Sequence, residues 1–326
     1  VRSSAASDVY KRQGPVAEGT KFYKRHGYYY LSIPEGGVGE GWQTILRSKN
    51  IYGPYEKKVV LEQGNTTVNG PHQGALVDTP EGEWWFFHFQ LTEPLGRVVH
   101  LQPVCWMENW PVIGVDMDMN GIGEPVKVWT KPGVSKSVLV SHPQTTDDFN
   151  SYTLGLQWQF NHNPVNTHWS LNERRGWLAL KALKAATLRE SRNMLTQKCM
   201  GYLSTATVLL DFSALADGQR GGLFCTGSLY NGIGISREEG KNYLYLEKNG
   251  DVQQVKMVSG KKIYLRVMLD AKKNRCQLFY SFDNRNFILC GDAYSLKFGD
   301  WKGARVGLYS YNTCLLYTSP SPRDIS

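Results

Sequence analysis

The sequence predicts an all-β protein built as two successive units, and three observations carry that reading. Aromatic rings are abundant: 10 Trp, 18 Tyr and 12 Phe make up 12% of the 326 residues, a content that suits pleated, half-buried strands. Strand-length runs of aromatic and β-branched residues alternate with Gly, Pro and Asn turns, and no segment shows the 3.6-residue apolar period of an amphipathic helix. The chain is also long enough for two domains, each with its own core.

In the first unit, residues 27–33 (Gly-Tyr-Tyr-Tyr-Leu-Ser-Ile), 42–48, 74–78, 83–89 and 97–104 have the length and composition of strands. Tyr52-Gly-Pro-Tyr55, Asn69-Gly-Pro71 and Thr79-Pro-Glu-Gly82 separate them with turn chemistry. Strand groups recurring at about 50 residues suit propeller blades. The pattern turns polar and Pro/Gly-containing at 131–146, which marks a linker. A second series of short strands follows, including 202–212, 243–248, 262–269, 275–282 and 304–311. Alternating strands over such a length read as a two-sheet sandwich or jelly roll. The expected organisation is therefore blades over 14–130, a linker over 131–146 and a sandwich over 147–313. Residues 1–13 and 314–326 break the pattern and resemble translated adapter sequence at the edges of a gene fragment, so both are expected to be non-native tails.

Several function classes are excluded at this level. No apolar run reaches the roughly 18–20 residues of a membrane-spanning helix, so no membrane partner is expected. The net charge is +8, but Lys and Arg are scattered as pairs such as Lys57-Lys58 and Lys261-Lys262 instead of forming a nucleic-acid-binding stripe. Six cysteines (105, 199, 225, 276, 290 and 314) show no CxxC and no paired spacing, which predicts buried free thiols. Asp116-Met-Asp-Met-Asn-Gly121 begins like a calcium loop, yet Lys127 stands where a bidentate Glu would be needed, so a turn is expected. In Trp84-Trp-Phe-Phe87, strand alternation sends half the rings into a core, so packing is expected before ligand binding.

One carboxylate stands in a setting suited to chemistry. Glu18 lies against a glycine, with apolar and aromatic neighbours in sequence; desolvation there would favour the protonated form that a general acid needs. The surrounding motifs are Ala17-Glu-Gly-Thr20, Tyr28-Tyr-Tyr30, Pro34-Glu-Gly-Gly37, Leu46-Arg-Ser-Lys49 and Tyr52-Gly-Pro-Tyr-Glu56. Asn69-Gly-Pro-His-Gln-Gly74, Gly82-Glu-Trp-Trp85, Gly96-Arg97 and Trp110-Pro-Val-Ile-Gly114 continue the series. Together they resemble glycoside hydrolase family 43, the β-xylosidase and α-L-arabinofuranosidase group. Asp148-Phe-Asn150, Leu154-Gly-Leu-Gln-Trp158, Asn161-His-Asn-Pro164 and Arg192-Asn193 resemble the concanavalin-A-like sandwich appended to many members.

The resemblance implies a partial five-bladed β-propeller followed by that sandwich, in an inverting, exo-acting enzyme that releases xylose or arabinose from hemicellulose. Its substrates would be xylan- or arabinoxylan-derived oligosaccharides. By the same resemblance Glu18 is the general acid and Arg97 contacts sugar hydroxyls; Trp42 and Gln43, after the Gly-rich loop 35–41, suit the sugar site by stacking and hydrogen bonding, while blade packing accounts equally well for Trp42. His72 matches a histidine near the cavity floor that contacts substrate or a structural calcium; no cofactor is otherwise required. The family's two catalytic Asp residues have no counterpart here, because Asp78, Asp116 and Asp118 do not match, and they are expected upstream, which would leave the fragment inactive by itself. The competing expectation is a non-catalytic, carbohydrate-binding or accessory sandwich protein. Polysaccharide breakdown favours a periplasmic or extracellular location over a cytoplasmic one.

Overall fold

The computed structural model describes residues 16–133, 141–297, 299 and 302–314. The expected tail at 1–13, all of the expected tail at 314–326 except Cys314, and 134–140 of the expected linker lie outside the described residues. The chain divides into two compact units, the first taking Val1–Thr92 and Gly96–Val140, the second Ser141–Ser326 with the short segment Glu93–Leu95. Among the described residues the only helical elements are two three-residue 3-10 turns, Asn166–His168 and Leu188–Glu190.

The first unit contains two antiparallel meanders of four strands each. Strands β1 (Lys21–Arg25), β2 (Tyr28–Glu35), β3 (Trp42–Ser48) and β4 (Glu56–Leu61) pair in chain order. Strands β5 (His72–Asp78), β6 (Trp84–Thr92), β7 (Gly96–Met107) and β8 (Trp110–Ile113) repeat the arrangement. Each is the sheet of a propeller blade. β1 and β4, short edge strands of five and six residues with two lysines each, carry charge that interrupts their apolar signal. Tyr30, Ile45, Val60 and Leu61 from the first sheet pack with Leu76, Phe86 and Ile113 from the second, each such side chain stabilising the fold by about 1.5–3 kcal/mol. Within Trp84-Trp-Phe-Phe87, Trp85 and Phe86 are buried, Trp84 is half-buried and only Phe87 is largely exposed. Trp84 and Phe86 pack on the first unit's core as alternation predicts, and Trp85, which alternation turns away from that core, is buried as well.

The second unit is a sandwich. Its larger sheet, of eight strands, runs in the order Asp251–Val258, Lys241–Lys248, Tyr230–Glu238, Gln219–Thr226, Arg305–Asn312, Leu195–Lys198 and Gln159–Phe160, with Leu183–Lys184 joining Arg305–Asn312 in parallel. The smaller sheet pairs Leu203–Asp211, Lys262–Asp270, Arg275–Ser281 and Ile288–Leu289. Alternation sorts the larger sheet's residues between two buried layers. Leu223, Cys225, Ile233, Ile235, Leu244 and Leu246 pack with Ile263, Leu265, Val267 and Leu278 of the smaller sheet. Phe224, Tyr230, Tyr245, Tyr309 and Tyr311 turn the other way and pack with Ala185, Leu188 and Met194. The hydroxyls of Tyr245 and Tyr309 pair at 2.7 Å, Tyr311 donates to Glu247 Oε2, and Leu188 N–H donates to Glu247 Oε1 at 2.6 Å.

The cysteine expectation needs correction. Cys225, Cys276 and Cys290 are buried free thiols, but Cys199 is half-buried and Cys105 and Cys314 are exposed. Cys105 faces outward because its neighbours along β7 already supply the inward-facing side chains: Val104 and Trp106 both pack on the first unit's core.

Candidate active site

The site residues converge at the ends of strands in the first unit. Glu18 precedes β1 and is anchored by its backbone N–H on Pro34 O, 3.4 Å away at the end of β2. Its side chain is exposed, so the apolar neighbours in sequence do not bury it. His72 opens β5, paired with Phe89 of β6, and the register then slips by one residue before Ala75 meets Phe87. This bulge sets Gln73 at φ +58° and brings its Nε2 to 3.5 Å from Glu18 Oε1. Gly74 permits it: a Cβ there would fall 2.1 Å from Phe87 O.

His72 is 1% exposed. Its Nδ1–H donates to Gly70 O at 2.9 Å, which leaves Nε2 unprotonated, and its ring meets Phe89 edge-on at 5.6 Å. Burial pulls the imidazole pKa down; the Gly70 carbonyl and the Glu18 carboxylate oppose this, and the Arg97 cation adds to it. The charges of Glu18 and Arg97 thus both reach His72. Arg97, the second residue of β7, holds its guanidinium 4.7 Å from the Phe89 ring centroid, an orientation that suits a fixed donor fork.

Trp42 opens β3 directly across from Glu35, the last residue of β2. Its Nε1–H donates to Glu35 Oε2 at 3.1 Å. The same carboxylate accepts from Thr44 Oγ1 and, at 3.0 Å, from Lys57 Nζ, and Glu35 is 0% exposed. The Trp42 ring lies on Gly36, where a Cβ would fall 2.5 Å from Cζ3; one on Gly41 would fall 2.7 Å from His72 Cδ2, so the Trp42 loop packs against His72. Gln43, expected beside Trp42 in the sugar site, is instead fully buried and donates Nε2–H to Ser32 Oγ at 2.9 Å. Successive residues of a strand face opposite sides, so Gln43 cannot share the face of Trp42.

A polar layer lies behind His72. His88 Nδ1–H donates to Phe89 O at 3.1 Å, while its Nε2 lies 3.2 Å from Gln102 Nε2. Val126 N–H donates to Gln102 Oε1 at 2.7 Å, which fixes the amide so that its NH2 faces His88. His88 Nε2 is therefore an acceptor and the ring neutral. Burial lowers its pKa from 6.5 to about 4. His100 stacks on it at 5.3 Å and donates Nε2–H to Gln90 Oε1 at 3.1 Å. Gln90 in turn donates to Asn69 Oδ1, and Asn69 to Gly39 O on the Trp42 loop.

The expected calcium fits poorly. His72 offers one imidazole nitrogen where calcium takes six to eight oxygens, and among the described residues no three His, Cys, Asp or Glu side chains converge. Asp116 and Asp118 accept backbone N–H groups of Asn120 and Gly121, the expected turn.

Comparison with known proteins decides the family. The profile of glycosyl hydrolases family 43 matches residues 2–111, and that of the β-xylosidase C-terminal concanavalin A-like domain matches residues 146–317. The chain belongs to family 43. A Xylanibacter ruminicola protein named as a β-xylosidase is 53% identical over 295 residues, 90% of this chain and 55% of that protein. A Bacteroides ovatus non-reducing end α-L-arabinofuranosidase is 31% identical over 263 residues, 75% of this chain and 46% of that protein. The crystal structure of a family 43 protein from Bacillus licheniformis superposes with a TM-score of 0.79 at 27% identity, covering 91% of this chain and 62% of that one. The chain spans about half the length of the curated relatives it matches. The all-β class, with propeller blades and a concanavalin-A-like sandwich, is thus the family 43 architecture. Sequence reasoning found Glu18, His72, Arg97 and Trp42, which the structure brings to one region. It passed over Glu35 and Gln73, whose roles arise from cross-strand register and from a bulge.

Proposed function

We propose that the protein carrying this chain is an inverting, exo-acting glycosidase that removes terminal xylose or arabinose from xylan- or arabinoxylan-derived oligosaccharides. The observation that carries this reading is the grouping of Glu18 with Gln73, His72 and Arg97 at adjoining strand ends. Glu18 protonates the departing glycosidic oxygen while a second carboxylate activates water on the opposite face of the sugar; inverting enzymes hold the two roughly 6.5–9.5 Å apart. Arg97 orients sugar hydroxyls, and Trp42, held by Glu35, presents a ring face to the pentose. Asp78 does not supply the second carboxylate, since it ends β5 at the opposite end from His72, and Asp116 and Asp118 are spent in their turn. That base belongs to another part of the parent protein, for which a polysaccharide-derived substrate favours a periplasmic or extracellular location over a cytoplasmic one.

The rival reading, a carbohydrate-binding sandwich, draws no support from the broad sheet. Its aromatic face is filled: Tyr245, Tyr309 and Tyr311 are 0–2% exposed beneath Leu188 and Met194. The test is pentose release from β-xylosyl and α-arabinofuranosyl disaccharides, whose leaving groups need protonation, by the full-length protein, with the first-formed anomer read by proton NMR. The inverted sugar is expected, and release undiminished by Glu18→Ala contradicts the assignment.

A further inference from the structure

Gln73 combines two features that work against stability, a left-handed backbone at the bulge and an unsatisfied carbonyl, with a third that aims its amide at the candidate acid. Its backbone sits at φ +58°, a left-handed conformation that Gly or Asn adopts more readily than Gln. Its Oε1 is buried without a hydrogen-bond partner, a state buried polar atoms rarely tolerate. Its Nε2 is turned outward to Glu18 Oε1, 3.5 Å away. An amide in a disfavoured backbone, with its carbonyl unsatisfied and its N–H on a carboxylate, is held there for the N–H. Residues retained against local stability mark function.

We propose that Gln73 is the positioning residue of the general acid, a role that rests on the assignment of Glu18 as that acid. The Gln73 N–H claims Glu18 Oε1 as an acceptor and so leaves the transferable proton on Oε2. When the glycosidic C–O bond breaks, its electron pair stays on the leaving oxygen, the proton passes from Oε2 to that oxygen, and Glu18 becomes a carboxylate. The Gln73 N–H then faces a full negative charge and binds it more strongly than the neutral acid, which favours the state after transfer. The base of the proposed mechanism and its water complete the displacement on the other face.

The experiment separates acid assistance from general damage by leaving group. A 2,4-dinitrophenyl pentoside departs without protonation, whereas a disaccharide needs it. Gln73→Asn suits the left-handed backbone and is one carbon too short to reach Glu18. In the full-length protein it is expected to slow disaccharide hydrolysis at least tenfold more than dinitrophenyl pentoside hydrolysis, with an unchanged or raised melting temperature. Gln73→Glu keeps the reach but replaces the donor with a second carboxylate, and is expected to move the alkaline limb of the disaccharide pH profile upward. Equal slowing of both substrates, or none, by Gln73→Asn overturns the proposal. Glu18→Gln serves as the reference. If it is selective for the disaccharide and Gln73→Asn is not, only the role of Gln73 fails; if Glu18→Gln is unselective, the acid assignment fails and this proposal with it.

Discussion

Acidification should destabilise the first unit through His88, and the size of the effect follows from its surroundings. The ring is 3% exposed, donates Nδ1–H to Phe89 O and accepts from Gln102 Nε2. Gln102 cannot turn to accommodate a proton on His88 Nε2, because its Oε1 is held by Val126 N–H. Protonation would set N–H against NH2 at 3.2 Å in a site with little solvent. The folded-state pKa accordingly falls from 6.5 to about 4, with burial the main cause, the Phe89 carbonyl opposing it and His100 and His72 adding to it. Between those values the unfolded chain binds a proton that the folded one does not. The stability is therefore fully present above pH 6.5 and drains away as the pH falls towards 4. At about 1.4 kcal/mol per pH unit, the whole window amounts to about 3 kcal/mol. Urea unfolding of the chain at pH 7.5 and pH 4.5, compared with His88→Gln, measures it. The parent should lose about 2–3 kcal/mol more than the variant over this interval. His72 and His100, whose pKa values burial also lowers, are present in both proteins and largely cancel. An equal loss in the two refutes the reasoning.

Two further predictions concern the supports of the site. Glu35→Ala strips the buried carboxylate from Trp42, Thr44 and Lys57 and should destabilise the chain by about 3–5 kcal/mol, whereas Glu35→Gln, which keeps an acceptor for Trp42, should lose less; denaturant midpoints decide, and equal midpoints for the two contradict it. Gly74→Ala forces a methyl to within 2.1 Å of Phe87 O and 2.3 Å of Phe86 Cζ and should cost at least about 1–3 kcal/mol, read as a lowered melting temperature beside a Gly27→Ala control, where no atom lies within 4 Å and only the positive φ is strained.

The strands with aromatic and β-branched runs were legible from sequence because those residues need a pleated, buried surface: the expected 42–48 is β3, Trp42–Ser48, residue for residue. β1 and β4 are less legible, since Lys21-Phe-Tyr-Lys-Arg25 and Glu56-Lys-Lys-Val-Val-Leu61 mix charge with apolar residues on sheet edges. Glu18 was legible through its motif and its glycine neighbour. Glu35 was not, because Pro34-Glu-Gly-Gly37 reads as a solvated turn until the Glu35–Trp42 pairing buries it. Gln43 was misplaced for the related reason that adjacency to Trp42 along a strand puts it on the opposite face. Gln73 carries no sequence signal, as its significance comes from the one-residue slip between His72 and Ala75. Register and bulges are set by long-range pairing, which local pattern does not encode.

The account rests most heavily on Glu18 as the proton donor to the leaving group. The direct measurement is kcat/KM of Glu18→Ala in the full-length protein on a pentose disaccharide and on the dinitrophenyl pentoside. General-acid assistance is worth about 10²–10⁴-fold, so the disaccharide rate should fall by at least about a hundredfold while the activated substrate loses less than about tenfold. Rates on the disaccharide that stay at the parent's level, or that fall no further than on the activated substrate, contradict the assignment.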